Sequence, residues 1–198
     1  LNYRRFFDIA DLVGVRMEES DVFETTHGFL LRLTDEGKVT GVRVDHIDGL
    51  FDPQDYLQRL RRRAPEAYLV VEKILRGDEA LDPNWPVAGT TGYDFLNAAL
   101  GVLVWPDGMK KLNEIYEEFT GEPTNFCAIA HDKKIAVMQE ALGSDVNRLT
   151  SLLVDICESN RDQRDYTRAE MRRAIREIAA CFAIYRSYVD PARGERAQ

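Results

Sequence analysis

The chain has 198 residues, 44% of them hydrophobic, enough to bury a sizeable core as one large domain or two small ones. Its 34 acidic residues against 26 basic give a net charge of −8, which argues against nucleic acid or an anionic membrane as the partner and fits a neutral or cationic ligand. No run approaches the roughly 20 apolar residues of a membrane span, and no basic flank leads into an apolar signal core, so the cytoplasm is the expected compartment.

The opening Leu1-Asn2-Tyr3-Arg4-Arg5-Phe6-Phe7 has full complexity and no initiator methionine, as expected of a piece cut from a longer chain. Residues 1–20 carry apolar side chains without a clean period and read as a loop with a short helical turn, broken by Gly14. Asp21 and Glu24 have capping-box spacing, and Phe23, His27, Leu30, Leu31 and Thr34 recur at helical intervals, which predicts a helix over about 21–35. A strand follows near 39–45, and Asp52 then caps a helix with Pro53 in its first turn, ended by Ala64-Pro65. Ala67 to Val71 forms a second buried strand. Strand, helix and strand in this order make a parallel βαβ unit, right-handed almost without exception.

Residues 76–95 read as a long loop rich in Pro, Gly and Thr, and loops of that length are commonly functional. Its Trp85 and Tyr93 are either rings on which a sugar stacks or anchors that pin the loop to the body. From Asn97 the character changes. Met109, Leu112, Ile115, Tyr116 and Phe119 repeat as one helix face, Ile129 to Leu142 as another. Ser144 opens a helix with Leu149, Leu152, Leu153 and Ile156 inside, and Thr167 with Glu170 caps a last one. Residues 1–96 are therefore expected to form one α/β part and 97–198 an all-helical subdomain with a frayed end from Pro191. Cys127, Cys157 and Cys181 are odd in number, lack a C-x-x-C pair and are expected to be reduced core residues.

The chemistry concentrates in Gly41-Val42-Arg43-Val44-Asp45-His46-Ile47-Asp48-Gly49 and in Val70-Val71-Glu72-Lys73. Side chains two apart on a strand share a side, so Arg43 stands beside Asp45 and favours its charged form. Asp45 and Glu72 end successive parallel strands, at the face where βα barrels carry their active sites. Neighbouring strands lie about 4.8 Å apart, so the two carboxylates can approach the roughly 5–5.5 Å separation of a retaining glycosidase. Glu72, following an apolar run, is the expected holder of a raised pKa and hence the acid. Spacing alone leaves open an ordinary strand-end ion pair, and also a metal cluster of Asp45, His46 and Asp48. His27 reads as a packed side chain and His131 as a surface one.

These stretches resemble the alpha-amylase family of glycoside hydrolases and transglycosylases. Gly41 to His46 is similar to the family's nucleophile motif on the fourth barrel strand, and Val70-Val71-Glu72-Lys73-Ile74-Leu75 to the acid/base motif on the fifth. Asn2 to Asp8, Asp45 to Leu50, Gly89-Thr90-Thr91-Gly92-Tyr93-Asp94-Phe95 and Tyr185-Arg186-Ser187-Tyr188-Val189 resemble, more narrowly, a trehalose-forming branch. The resemblance implies a partial (β/α)8 TIM barrel with a helical insertion. It also implies an enzyme that turns the reducing-end α-1,4 bond of a maltooligosaccharide into an α,α-1,1 bond by a retaining mechanism.

In that reading Asp45 is the nucleophile, Glu72 the general acid/base, and Arg43 orients and ionises Asp45. His46, Asp48, Lys73, Tyr93 and Trp85 bind substrate, and no cofactor or metal is required. The early and late barrel strands and the family's third carboxylate have no match, so the chain is expected to be inactive alone and to self-associate through its open edges. The alternatives are an α-glucan hydrolase of the same wider family and a non-catalytic helical binding module.

Overall fold

A computed structural model describes residues 5, 6 and 9–189. The resemblance through Asn2 to Asp8 falls largely, and the expected fraying from Pro191 to Gln198 wholly, outside them. The chain divides into two compact units, Leu1–Val104 with Ile184–Gln198, and Trp105–Ala183. The division expected from sequence ran between residues 96 and 97 and gave the C-terminal segment to the helical part. The segment from Ile184 instead groups with the first unit.

In the first unit β1, Arg5–Phe6, pairs antiparallel with β2, Ile9–Val13. A loop with a helical turn was expected there. Leu12 and Val13 are 48% and 57% exposed, so the hairpin buries no alternating face that a sequence pattern could betray. Helix α1 runs Ser20–Asp35 and buries Phe23 and Leu31, eight residues and just over two turns apart. Its N-cap is Glu19 with no side-chain cap bond, and Asp21 lies in the first turn, so the expected Asp21–Glu24 box does not form.

Strand β3, Gly41–Val44, leads through a 3-10 turn at Ile47–Gly49 to α2, Pro53–Arg63. As the sequence predicts, Asp52 caps α2 by accepting from the Asp55 N–H at 2.9 Å, and Pro53 sits where no helical N–H is needed. Strand β4, Tyr68–Val71, pairs parallel with β3 from Gly41 opposite Tyr68 to Val44 opposite Val71. A third parallel strand, β5, Gly89–Thr90, lies against the other edge of β4, where only loop was expected. Two residues with a glycine carry no apolar run, so the pairing is set by β4 and not by the segment itself. Helix α3, Tyr93–Val102, also begins earlier than expected, directly after Gly92, whose φ of 100° is one that glycine adopts freely.

The core of this unit joins the α1, α2 and sheet faces through Phe23, Ile47, Leu57, Leu60, Leu69 and Val71. Trp85 belongs to the same core at 5% exposure, and Arg61 holds the adjoining chain by donating to the Pro86 carbonyl at 3.0 and 3.1 Å and to that of Ala67 at 2.8 Å. The segment between β4 and β5 is thereby fastened to α2.

The second unit is helical throughout: α4 Pro106–Thr120, α5 Phe126–Glu140, α6 Gly143–Glu158 and α7 Arg168–Cys181. The predicted box at Thr167 and Glu170 is present in both directions. Its core is small, with Met138, Val146 and Ala180 buried together. Leu149, Leu152 and Ile156, expected inside, are 44%, 50% and 62% exposed. Of the cysteines only Cys157 is buried; Cys127 and Cys181 are exposed and all three are free. The chain is helix-rich, with a small parallel sheet in its first unit. Among the described residues no helix is long and apolar enough to cross a membrane.

Candidate active site

The parallel register places Asp45 and Glu72 side by side, each one residue beyond the last paired position, Val44 opposite Val71. The Glu72 N–H donates to the Val44 carbonyl at 2.8 Å, which extends the ladder to the start of the site. Arg43, on the same side of β3 as Asp45, reaches across both strand ends. Its Nη2 is 2.6 Å from Asp45 Oδ1 and 3.4 Å from Glu72 Oε1. One guanidinium thus bridges two carboxylates.

Immediately after Asp45 the backbone turns through His46, whose φ and ψ of 47° are left-handed, a conformation uncommon outside glycine. The turn aims the His46 N–H at Glu72 Oε2, 2.9 Å away. It also lays the imidazole over Gly49, where an added Cβ would come within 2.7 Å of the ring, so a side chain at residue 49 would push the ring out of this position. The Tyr93 hydroxyl, delivered by the start of α3, donates to Glu72 Oε1 at 3.1 Å. With Asp45, His46, Tyr93 and Arg43 around it, Glu72 keeps only 24% of its side chain exposed, whereas Asp45 is 68% exposed and open to a ligand.

This corrects the expected electrostatics. Glu72 was to have a raised pKa, but it is held below the ordinary carboxylate value, first by the His46 N–H, then by Tyr93, Asp45 and Arg43, with burial opposing. Preformed donors to the charged form outweigh the apolar run that precedes it. The same contact pushes the Tyr93 phenol up, because ionising it would break its bond to Glu72 and place a second negative charge there.

Asp48 and Lys73, expected to line a sugar pocket, lie instead in a buried network. Lys73 is 2% exposed, with Nζ 3.3 Å from Asp48 Oδ2 and 3.0 Å from Glu79 Oε1. Asp48 also accepts from the Tyr188 hydroxyl. Trp85, expected as a sugar platform, packs edge to face on Tyr188 with ring centroids 5.2 Å apart and has no open face to offer, so it anchors the loop. The alternative metal cluster does not assemble either, since Asp45 turns to Arg43 and Asp48 to Lys73 and Tyr188.

Three participants were missed. Arg186 donates to the carbonyls of Asp48 at 2.7 Å and Phe51 at 3.0 Å, and also to that of Leu50, clamping the loop after β3. Tyr188 and Glu79 complete the network around Lys73. The stretch Tyr185 to Val189 stood out in the sequence, but no spacing rule connects it to a loop about 140 residues away. His27 is packed as expected, stacked on Phe23 at 4.3 Å with Nε2 2.7 Å from the Tyr56 hydroxyl, and its burial lowers its pKa.

No family model matches the chain. A putative maltooligosyl trehalose synthase of Mycobacterium tuberculosis is 46% identical over 148 residues, which is 74% of this chain and 19% of that protein. The structure of maltooligosyltrehalose synthase from Arthrobacter ramosus superposes with a TM-score of 0.84 at 41% identity, covering 96% of this chain and 24% of that one. A hypothetical maltooligosyl trehalose synthase from Sulfolobus tokodaii gives 0.76 at 33% identity over 96% of this chain and 23% of its own. The chain thus spans about a fifth to a quarter of the length of the relatives it matches. In sequence and in structure alike it belongs with the maltooligosyltrehalose synthases, as a fragment of that family.

Proposed function

We propose that this chain carries the nucleophile and the acid/base of a longer enzyme that converts the reducing-end α-1,4 bond of a maltooligosaccharide into an α,α-1,1 bond, in trehalose biosynthesis. The observation that carries the reading is the side-by-side placement of Asp45 and Glu72 under the single guanidinium of Arg43, together with the names of the relatives. In it the sheet β3-β4-β5 is one arc of a (β/α)8 barrel whose remaining strands, with the third carboxylate, lie in the rest of the protein.

Asp45 attacks the anomeric carbon of the penultimate glucose while Glu72 protonates the departing glycosidic oxygen, giving a glycosyl-enzyme and free glucose. The glucose turns over in the pocket, Glu72 removes the proton of its anomeric hydroxyl, and that oxygen displaces Asp45 with net retention. The donors on Glu72 suit its second role directly. Its first role needs a proton, and a bound sugar that displaces water from around two neighbouring carboxylates raises the pKa of Glu72 toward that task. Tyr93 and His46 stand on the substrate side; Asp48, Lys73 and Trp85 act by holding the loops that carry them.

Incubating maltopentaose with the full-length enzyme and, in parallel, with this 198-residue chain tests the proposal by proton NMR of the products. A non-reducing α,α-1,1 product from the full-length enzyme alone is expected. Glucose and shorter maltooligosaccharides as the only products would make the enzyme a hydrolase, and turnover by the short chain would show that the other strands are not needed.

A further inference from the structure

On the outside of the helical unit, well away in sequence from the carboxylate pair, three metal-ligating side chains of different kinds meet. Glu177 and Cys181 are four residues apart on α7, so they share a face one turn apart. His131 of α5 faces them, with Nε2 2.9 Å from Glu177 Oε2. The imidazole nitrogen, the carboxylate oxygen and the Cys181 sulfur lie within 4.8 Å of one another. A tetrahedral zinc ion, with ligands at about 2.0–2.3 Å, needs its donor atoms roughly 3.3–3.7 Å apart, a closure that side-chain torsions supply.

The second observation is the far side of the imidazole. His131 Nδ1 is 3.2 Å from Asp132 Oδ1, so one carboxylate holds the nitrogen that does not face the trio. A carboxylate behind a histidine fixes its orientation and directs the other nitrogen to the metal, and ligating histidines are ordinarily supported in this way. Glu177 and Cys181 are exposed, which leaves an entry path and a fourth position for water. A net charge of −8 favours cation capture.

We propose that His131, Glu177 and Cys181 form a binding site for one divalent ion of borderline softness, zinc being the type. Binding replaces the Nε2 proton of His131 and the thiol proton of Cys181 with the metal, and both protons pass to solvent. The site bridges α5 and α7, so an occupied site fastens these two helices in a unit whose buried core is small. It takes no part in the proposed sugar chemistry and stands whether or not that chemistry is right.

The test uses the reduced 198-residue chain, with cobalt(II) as a spectroscopic substitute and zinc chloride by calorimetry. One zinc per chain is expected, with a thiolate-to-cobalt charge-transfer band that zinc abolishes, and with protection of one thiol against a thiol reagent. C181S should remove the band, and H131Q and E177Q should each weaken zinc binding at least tenfold. C127S, at an exposed cysteine outside the trio, should change neither. Circular dichroism separates a lost site from a lost fold, and a wild-type titration following the His131 ring by NMR does not depend on any variant. No zinc binding, binding that C181S leaves intact, or an unmoved His131 resonance at saturation would each overturn the proposal.

Discussion

Tyr188 donates its hydroxyl to Asp48 across 140 residues of chain, and Asp48 lies three residues beyond Asp45. The bond ties the C-terminal segment of the first unit to the loop that carries the exposed carboxylate. Burial and the nearby negative charge of Asp48 push the Tyr188 phenol far above its ordinary range, so it remains a donor at any working pH. Tyr188→Phe leaves Asp48 Oδ1 in a protein interior without that donor. The expected cost is about 1–3 kcal/mol in chemical denaturation of the first unit. A change below about 0.5 kcal/mol, the scatter of ordinary surface substitutions, would show that the contact does not form.

Lys73 is the only cation between Asp48 and Glu79 that the described residues place within ion-pair distance of both. Removing it takes the shared cation from two carboxylates, 7% and 12% exposed, and leaves Asp48 with the Tyr188 hydroxyl as its donor. Lys73→Met is therefore expected to destabilise by about 3–5 kcal/mol, while adding Asp48→Asn and Glu79→Gln to it should restore most of the loss. A triple variant no more stable than the single one would mean that packing of the lysine stem, and not charge, carries the effect.

Two histidines give the units opposite pH dependence. Burial lowers the pKa of His27 below 6.5, so the native first unit binds fewer protons than the unfolded chain. Its contribution is complete above pH 6.5 and is lost as the pH falls through the folded value. The bonds to Glu177 and Asp132 raise the pKa of His131 above 6.5. Its contribution to the helical unit is complete below that value and is lost as the pH rises through the folded one. Denaturation between pH 5 and 8, read with one probe in each unit, should slope in opposite senses, about pH 6.5 being the ordinary histidine midpoint. His27→Gln should flatten only the first profile and His131→Gln only the second.

What the sequence made legible follows from how local each signal is. The Asp52 cap with Pro53 and the Thr167–Glu170 box rest on short-range chemistry, the parallel pairing of β3 with β4 on a strand–helix–strand order, and all three appear as read. Strand β5 did not, because two residues borrow their geometry from a neighbouring strand. In the site, Arg43 against Asp45 was visible in a two-residue spacing. The left-handed His46 was not, and it is His46 that turns its N–H to Glu72 and reverses the expected pKa. Arg186 and Tyr188 are joined to the loop only by the fold, so although their stretch stood out, no spacing tied it to Asp48.

Tyr93→Phe isolates the electrostatics of Glu72. With the 3.1 Å bond gone, one of the donors favouring the anion is lost and the pKa of Glu72 rises. In the full-length enzyme the limb of the pH–rate profile that belongs to Glu72 should move to higher pH, with turnover retained. Glu72→Gln should lower kcat by about 10²–10⁴. If Tyr93→Phe alters KM alone and leaves the profile in place, Tyr93 binds sugar without tuning the acid.

Helix α4 presents an apolar face to solvent. Leu112, Ile115, Tyr116 and Phe119 form the apolar stripe that the helical period announces, yet they are 58%, 56%, 50% and 89% exposed. A stripe of that regularity normally faces a core, and soluble proteins seldom leave one in water. The 198-residue chain should therefore associate with itself as its concentration rises, an effect that sedimentation velocity reads directly. Replacing Leu112 and Phe119 with Gln removes the apolar groups at the two ends of the stripe while leaving helix propensity nearly unchanged. The variant should sediment as a monomer with the helical content of the original. If the wild-type chain is already monomeric at high concentration, the stripe does not drive association; if the variant still associates, the unpaired edges of the β3-β4-β5 sheet are the next surface to block.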